Sequence, residues 1–113
     1  MPQKKRHSII SLGDISAGAY TAEVDASAFD YAIVMVKNAG GGASTITVEA
    51  SPQAFGTTAT WYTYGRTNSV PASTNEAWSI PQYPYSEFTT ANRIRIKSSA
   101  ATTIWVELVR EIG

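Results

Sequence analysis

The chain has 113 residues, enough for one domain with one core, and it is 43% apolar, 11% aromatic and only 16% charged. That composition excludes an intrinsically disordered chain, and the absence of cysteine excludes disulfides and thiolate metal sites. Nine basic and nine acidic side chains cancel, but Lys4, Lys5 and Arg6 crowd the start, so the remainder is mildly acidic behind a basic tip.

Residues 1–11 are read as a flexible, partly basic N-terminal arm and residues 12–113 as the folded body. The opening has a basic start but an apolar middle of only Ile9, Ile10 and Leu12, broken by Ser11, Gly13 and Asp14, too short for a signal peptide. No apolar run approaches the roughly 20 residues of a membrane helix.

Strand signals then recur along the chain. Ser8 to Leu12 is short and β-branched, and Ala19 to Val24 alternates loosely. Phe29 to Lys37 contains the run Tyr31–Val36, apolar at every position, where a strand with one wet face would alternate. Gly40, Gly41 and Gly42 follow. With strands on both sides and no lysine after them they read as a hairpin turn using positive φ, and a phosphate-cradling loop is rejected. Ser44 to Ala50 alternates cleanly. Further strands are expected at Thr60 to Tyr64, Ala77 to Ile80, Asn92 to Ser98 and Thr102 to Val109. In the Asn92 strand Ile94 and Ile96 oppose Arg93, Arg95 and Lys97; in the last, Ile104, Val106 and Leu108 oppose Trp105, Glu107 and Val109. About eight short strands with Gly, Pro and Asn turns predict an all-β fold, a single antiparallel β-sandwich or jelly roll. Residues 65–85, with Pro71, Pro81 and Pro84, read as long loops with weak edge strands.

Catalytic chemistry is poorly supplied. The single histidine, His7, lies in the basic tip with nothing to orient it against a nucleophile. Asp14, Asp25 and Asp30 are candidates for paired carboxylates or calcium, but each is better read as a turn residue. No enzyme, metal or cofactor is expected. The aromatic side chains are the richer signal. Trp61, Tyr62 and Tyr64 fall within four residues, and Trp78, Tyr83, Tyr85 and Phe88 follow; such rings fill cores, anchor protein interfaces or stack on sugars. The candidate protein-interface residues are therefore Lys4, Lys5, Arg6, His7, Trp61, Tyr64, Trp78, Tyr83 and Tyr85. The basic tip alone is too short for tight nucleic-acid binding.

The order "VDASAFDYAIVMVKNAGGGASTITVEASPQAFGTTATWYTYG", followed later by "NRIRIKSSAATTIWVELV", resembles small β-sandwich virion proteins of tailed phages, over roughly residues 24 to 109. The resemblance implies a capsid decoration, cementing or head-fibre protein without catalytic residues. It implies an oligomer, a trimer favoured, that binds the major capsid protein on the capsid exterior and uses its N-terminal arm on a neighbour. The alternative from another class is a carbohydrate-binding module with Trp61, Tyr64 and Trp78 as its stacking platform. The stretch 65–88 has no counterpart in that pattern.

Overall fold

The structure, a computed structural model, describes residues 4–27, 29, 31–63, 67–80 and 92–112, with the backbone alone for residues 4–7, 111 and 112. The described residues form nine strands: β1 (Lys4–Ile15), β2 (Val24–Asp25), β3 (Tyr31–Asn38), β4 (Ser44–Ser51), β5 (Tyr62–Thr63), β6 (Asn68–Val70), β7 (Thr74–Ile80), β8 (Arg93–Ser98) and β9 (Thr102–Ile112). They make two antiparallel sheets, one in the order β1-β9-β3-β7 (sheet A), the other β2-β8-β4-β5 with β6 also on β4 (sheet B). The pairing is nested. The chain ends pair first as β1 with β9, then β2 with β8, β3 with β7, and β4 with β5 and β6. Successive pairs fall in alternate sheets, so the chain is a long hairpin rolled over itself, a jelly-roll sandwich.

The inner faces follow from strand alternation. Ala32, Val34 and Val36 of β3 and Ile104, Val106 and Leu108 of β9 meet Ile46 and Val48 of β4 and Ile94 and Ile96 of β8, all buried. Each such Val, Ile or Leu side chain contributes about 1.5–3 kcal/mol through lost apolar exposure. The outer set of β3 is therefore Tyr31, Ile33 and Met35.

The expected arm is strand from Lys4 onward. Lys4 to Ser11 pair with Ile112 to Trp105 of β9, and the pairing runs on to Ile15 opposite Thr102 across an irregularity between Ser11 and Gly13. Leu12 is the extra residue there, and Gly13 has φ +75°, a conformation that a side chain would strain. Basic residues at the start of an edge strand are compatible with its open side.

The glycine run does something other than expected. Strands β3 and β4 lie in different sheets, so residues 39–43 carry the chain across the sandwich and do not close a hairpin. Gly40, Gly41 and Gly42 are not among the glycines with positive φ, which are Gly13, Gly18 and Gly56. The crossing is held by a side chain. Asn38, 1% exposed, directs its Nδ2 to the carbonyls of Gly42 (2.9 Å), Val70 (3.1 Å) and Pro71 (3.2 Å), and its Oδ1 accepts from Gly40 N–H (3.1 Å). At the same end Ser44, Ser98 and Thr102 are buried, with Ser44 Oγ and Ser98 Oγ 2.6 Å apart and the Thr102 hydroxyl donating to Ser98 Oγ at 3.0 Å. Both sheets are thus tied by satisfied buried polar groups.

Candidate functional site

Two outer faces are available for contact, and they differ in chemistry. On sheet B the outward residues of β8 are Arg93, Arg95 and Lys97, beside Glu49 of β4. Arg95 is clamped: its Nε donates to Glu49 Oε1 (2.8 Å) and Nη2 lies 2.7 Å from the same oxygen. Its guanidinium carbon sits 3.8 Å from the ring centroid of Tyr20 and 4.3 Å from that of Trp61. The Tyr20 hydroxyl donates to Glu49 Oε2 (3.1 Å), and Lys97 Nζ lies 5.5 Å from the Tyr20 ring. Planar guanidinium suits this stacking, each contact contributing about 0.5–1 kcal/mol. Tyr20 is carried there by the segment after β1, whose Gly18 N–H bonds Ser98 O (2.8 Å) and whose Tyr20 bridges Lys97.

Arg93 is the buried member, 2% exposed, with Nη1 3.0 Å from Glu23 Oε1 and Nη2 donating to Thr57 O at 2.6 Å. Trp61 covers it at 5.5 Å, and its Nε has no partner. Sheet B thus presents cations matched by carboxylates and rings. Tyr62 and Phe55 are also exposed.

Sheet A has a different outer face. In register, Trp105 lies between Ser11 and Met35, and Met35 opposes Ala77; the next row is Ile9, Glu107, Ile33 and Ser79. Ile9 is 67% exposed, Ala77 is exposed, and Ile33, Met35 and Trp105 are half-buried. A shallow groove of about 360 Å³ runs along the β7 side, lined by Met35, Lys37, Asn75, Glu76, Ala77 and Trp105 among others. At the far end Val109, opposite Tyr31, is fully buried although it points away from the inter-sheet core. This face explains the uninterrupted apolar run of β3: one half of it fills the core, the other paves an open sheet surface.

The expected site residues do not converge. Trp61 is on the outer side of sheet B, while Trp78 of β7 packs against the inter-sheet core. These two rings are therefore on different faces of the sandwich, and one face of Trp61 is taken by Arg95. Tyr64, Tyr83 and Tyr85 lie outside the described residues. Lys4, Lys5, Arg6 and His7 are placed by their backbone opposite Ile112, Glu111, Arg110 and Val109. Alternation had set Arg95 and Trp105 opposite the inward residues of β8 and β9, but sequence reasoning did not name them, or Tyr20, Glu49 and Ile9, as contact residues.

The acidic candidates are engaged locally. Asp25 Oδ1 accepts from Ser27 N–H (3.1 Å) and the Ser27 hydroxyl (2.7 Å), a turn, and Asp14 Oδ1 accepts from the Thr103 hydroxyl (2.6 Å). Asp30 lies outside the described residues. Among the described residues no three His, Cys, Asp or Glu side chains gather as a metal site would require.

No protein-family model and no curated protein matches the sequence. Among solved structures the chain is similar to one from Bacillus endospore appendages, described as a family of disulfide-linked pili: 17% identity, TM-score 0.51, covering 100% of this chain and 93% of that one. It is also similar to a chain of infectious bursal disease virus, Gx strain: 15% identity, TM-score 0.52, covering 96% of this chain and 33% of that one. The chain therefore spans about a third of the viral chain it matches. At these identities the likeness is one of fold: the protein is an all-β sandwich of two antiparallel sheets.

Proposed function

We propose that the chain is a non-enzymatic structural protein of a virion, a decoration or cementing subunit that binds the capsid lattice as an oligomer. The observation that carries this reading is the outer face of sheet A. An apolar surface with Trp105 at its centre and Ile9 at its rim is costly to leave in water and typical of surfaces covered by another protein. Fold-level analogy supports the class of role, since similar sandwiches occur in a pilus family and in a virus particle. The partners in this reading are copies of the chain, a trimer favoured, and the major capsid protein on the capsid exterior. The basic N-terminal end, Lys4 to His7, lies at the edge of the same sheet and extends the contact surface.

Size-exclusion chromatography with light scattering tests the association. The expected result is an oligomer that Met35→Lys converts to a folded monomer. A wild-type chain that is monomeric up to its solubility limit overturns self-association. Co-sedimentation with capsids tests the lattice role: retention by the wild type and its loss with Met35→Lys are expected, and equal retention of both removes this face from the contact.

A further inference from the structure

Sheet A has four strands, β1-β9-β3-β7, and every neighbouring pair is antiparallel. With an even number of alternating strands, its two edge strands run in opposite directions. A second copy set beside the first by a simple lateral step therefore brings its β1 antiparallel to the β7 already there. Among the described residues the outer sides of β1 and β7 pair with no other strand. Alternate residues of each carry N–H and C=O groups toward that open side.

The side chains at the two edges are also unlike and complementary. The β1 edge projects Ile9, 67% exposed, from the outer face. The β7 edge carries the groove of Met35, Ala77 and Trp105 on the same face. On the inner side, Ile10 and Leu12 of β1 and Trp78 of β7 are only partly buried against the core. Side by side, these three would cover one another. A knob at one edge and a groove at the opposite edge make a heterologous contact, which closes into a ring or continues as a filament.

We propose that β7 of one copy pairs antiparallel with β1 of the next, so that sheet A runs on from subunit to subunit with Ile9 seated at the Met35–Ala77–Trp105 groove. This rests on the self-association proposed above and specifies its geometry. Rows of the sheet give the register: Ser11, Trp105, Met35 and Ala77 lie in line. Ser11 of the next copy then falls opposite Ala77, or opposite Asn75 if the strand slides by two residues to bring Ile9 to Ala77.

The chain lacks cysteine, so engineered cross-links are unambiguous. Within one copy Ser11 and Ala77 are three strand spacings apart, about 14 Å, too far for a disulfide, whose Cα atoms stand at most about 7 Å apart. Ser11→Cys protein is mixed under mild oxidant with Ala77→Cys or with Asn75→Cys protein, and each variant is also oxidised alone. The expected result is a disulfide dimer in one of the mixtures, little in the single-variant samples, and loss of the mixed product when Ile9→Lys is added to the Ser11→Cys chain. Efficient cross-linking of single variants means two-fold pairing of like edges and overturns the proposal. So does an oligomer by light scattering that forms no mixed disulfide, an outcome that leaves self-association standing. A monomer by light scattering overturns both. Circular dichroism of Ile9→Lys, with an unchanged melting curve expected, separates lost contact from lost fold.

Discussion

Replacing Asn38 with alanine tests whether one buried amide holds the two sheets together at the crossing between β3 and β4. Its side chain offers two hydrogens to the carbonyls of Gly42, Val70 and Pro71, and its oxygen accepts from Gly40. Alanine deletes about three hydrogen bonds, each contributing about 1 kcal/mol net, and leaves buried backbone groups without partners, so a loss of about 3 kcal/mol is expected. For a domain of this size each kcal/mol moves Tm by about 4 °C, which puts the variant about 12 °C below the wild type. Total stability of about 5–15 kcal/mol leaves it folded at room temperature. Asn38→Asp sharpens the test. It keeps the acceptor for Gly40 but sets a carboxylate against carbonyl oxygens, which favours the protonated form in the folded state. The folded variant then binds more protons than the unfolded one, so its stability relative to wild type rises as pH falls toward about 4. Thermal unfolding followed by circular dichroism at pH 7 and pH 4 measures both. An Asn38→Ala protein melting within about 3 °C of wild type would refute the argument.

On sheet B, Glu23→Ala strips Arg93 of its ion pair and should cost about 1–2 kcal/mol in urea denaturation, below the full penalty of a buried pair because Glu23 is 41% exposed. Arg93→Met removes the buried charge itself and should stay within about 1 kcal/mol of wild type. Gly41→Ala should stabilise by about 0.5 kcal/mol, since a Cβ there meets nothing and φ is not positive, whereas Gly13→Ala, at φ +75°, should cost about 1 kcal/mol. A double-mutant cycle on Arg95 and Glu49 should give a coupling of about 1 kcal/mol, the upper range for a pair with both side chains partly exposed.

The core was legible because alternation is a local signal. Ile94 and Ile96 against Arg93, Arg95 and Lys97 assigned faces to β8 without knowledge of its neighbours, and Ile104, Val106 and Leu108 did the same for β9. The unbroken run Tyr31–Val36 announced two covered faces but left open which half pointed inward, because both halves are apolar. That choice is made by the partner strands, which sequence does not name. The glycine run misled for a related reason. Strands separated by five residues usually pair, but here β3 is taken by β7 and β9 and β4 by β8, so the turn crosses between sheets. Asn38 ends a strand and looks like any turn residue; only the return of Val70 and Pro71, some thirty residues later, gives its amide something to hold. Trp61 and Trp78 looked like one platform because they are close in the chain, and the rolled topology puts them on opposite sheets. Tyr20 and Arg95 were invisible as a pair, being brought together by the crossover that follows β1.

The two outer faces differ in what it costs to cover them. On sheet B, Arg95 already has Glu49, Tyr20 and Trp61, and Arg93 has Glu23 and the Thr57 carbonyl. A partner placed there must strip water from charges that are already matched and can offer them little in return, so burial gains little and selects against loose association. Sheet A carries Ile9, Ile33, Met35, Trp105 and Ala77 in adjoining rows. Covering them releases water from apolar surface at about 25 cal/mol per Å², set against the desolvation of Ser11, Ser79 and Glu107 in the same rows. With no cysteine in the chain, an assembly cannot be locked by the disulfides that name the similar pilus family. Its cohesion has to come from area and from backbone pairing. Sheet A supplies both at once, an apolar face and two edges of opposite direction that are unpaired among the described residues, and that combination is why the proposed contact between copies is set there and not on the charged sheet.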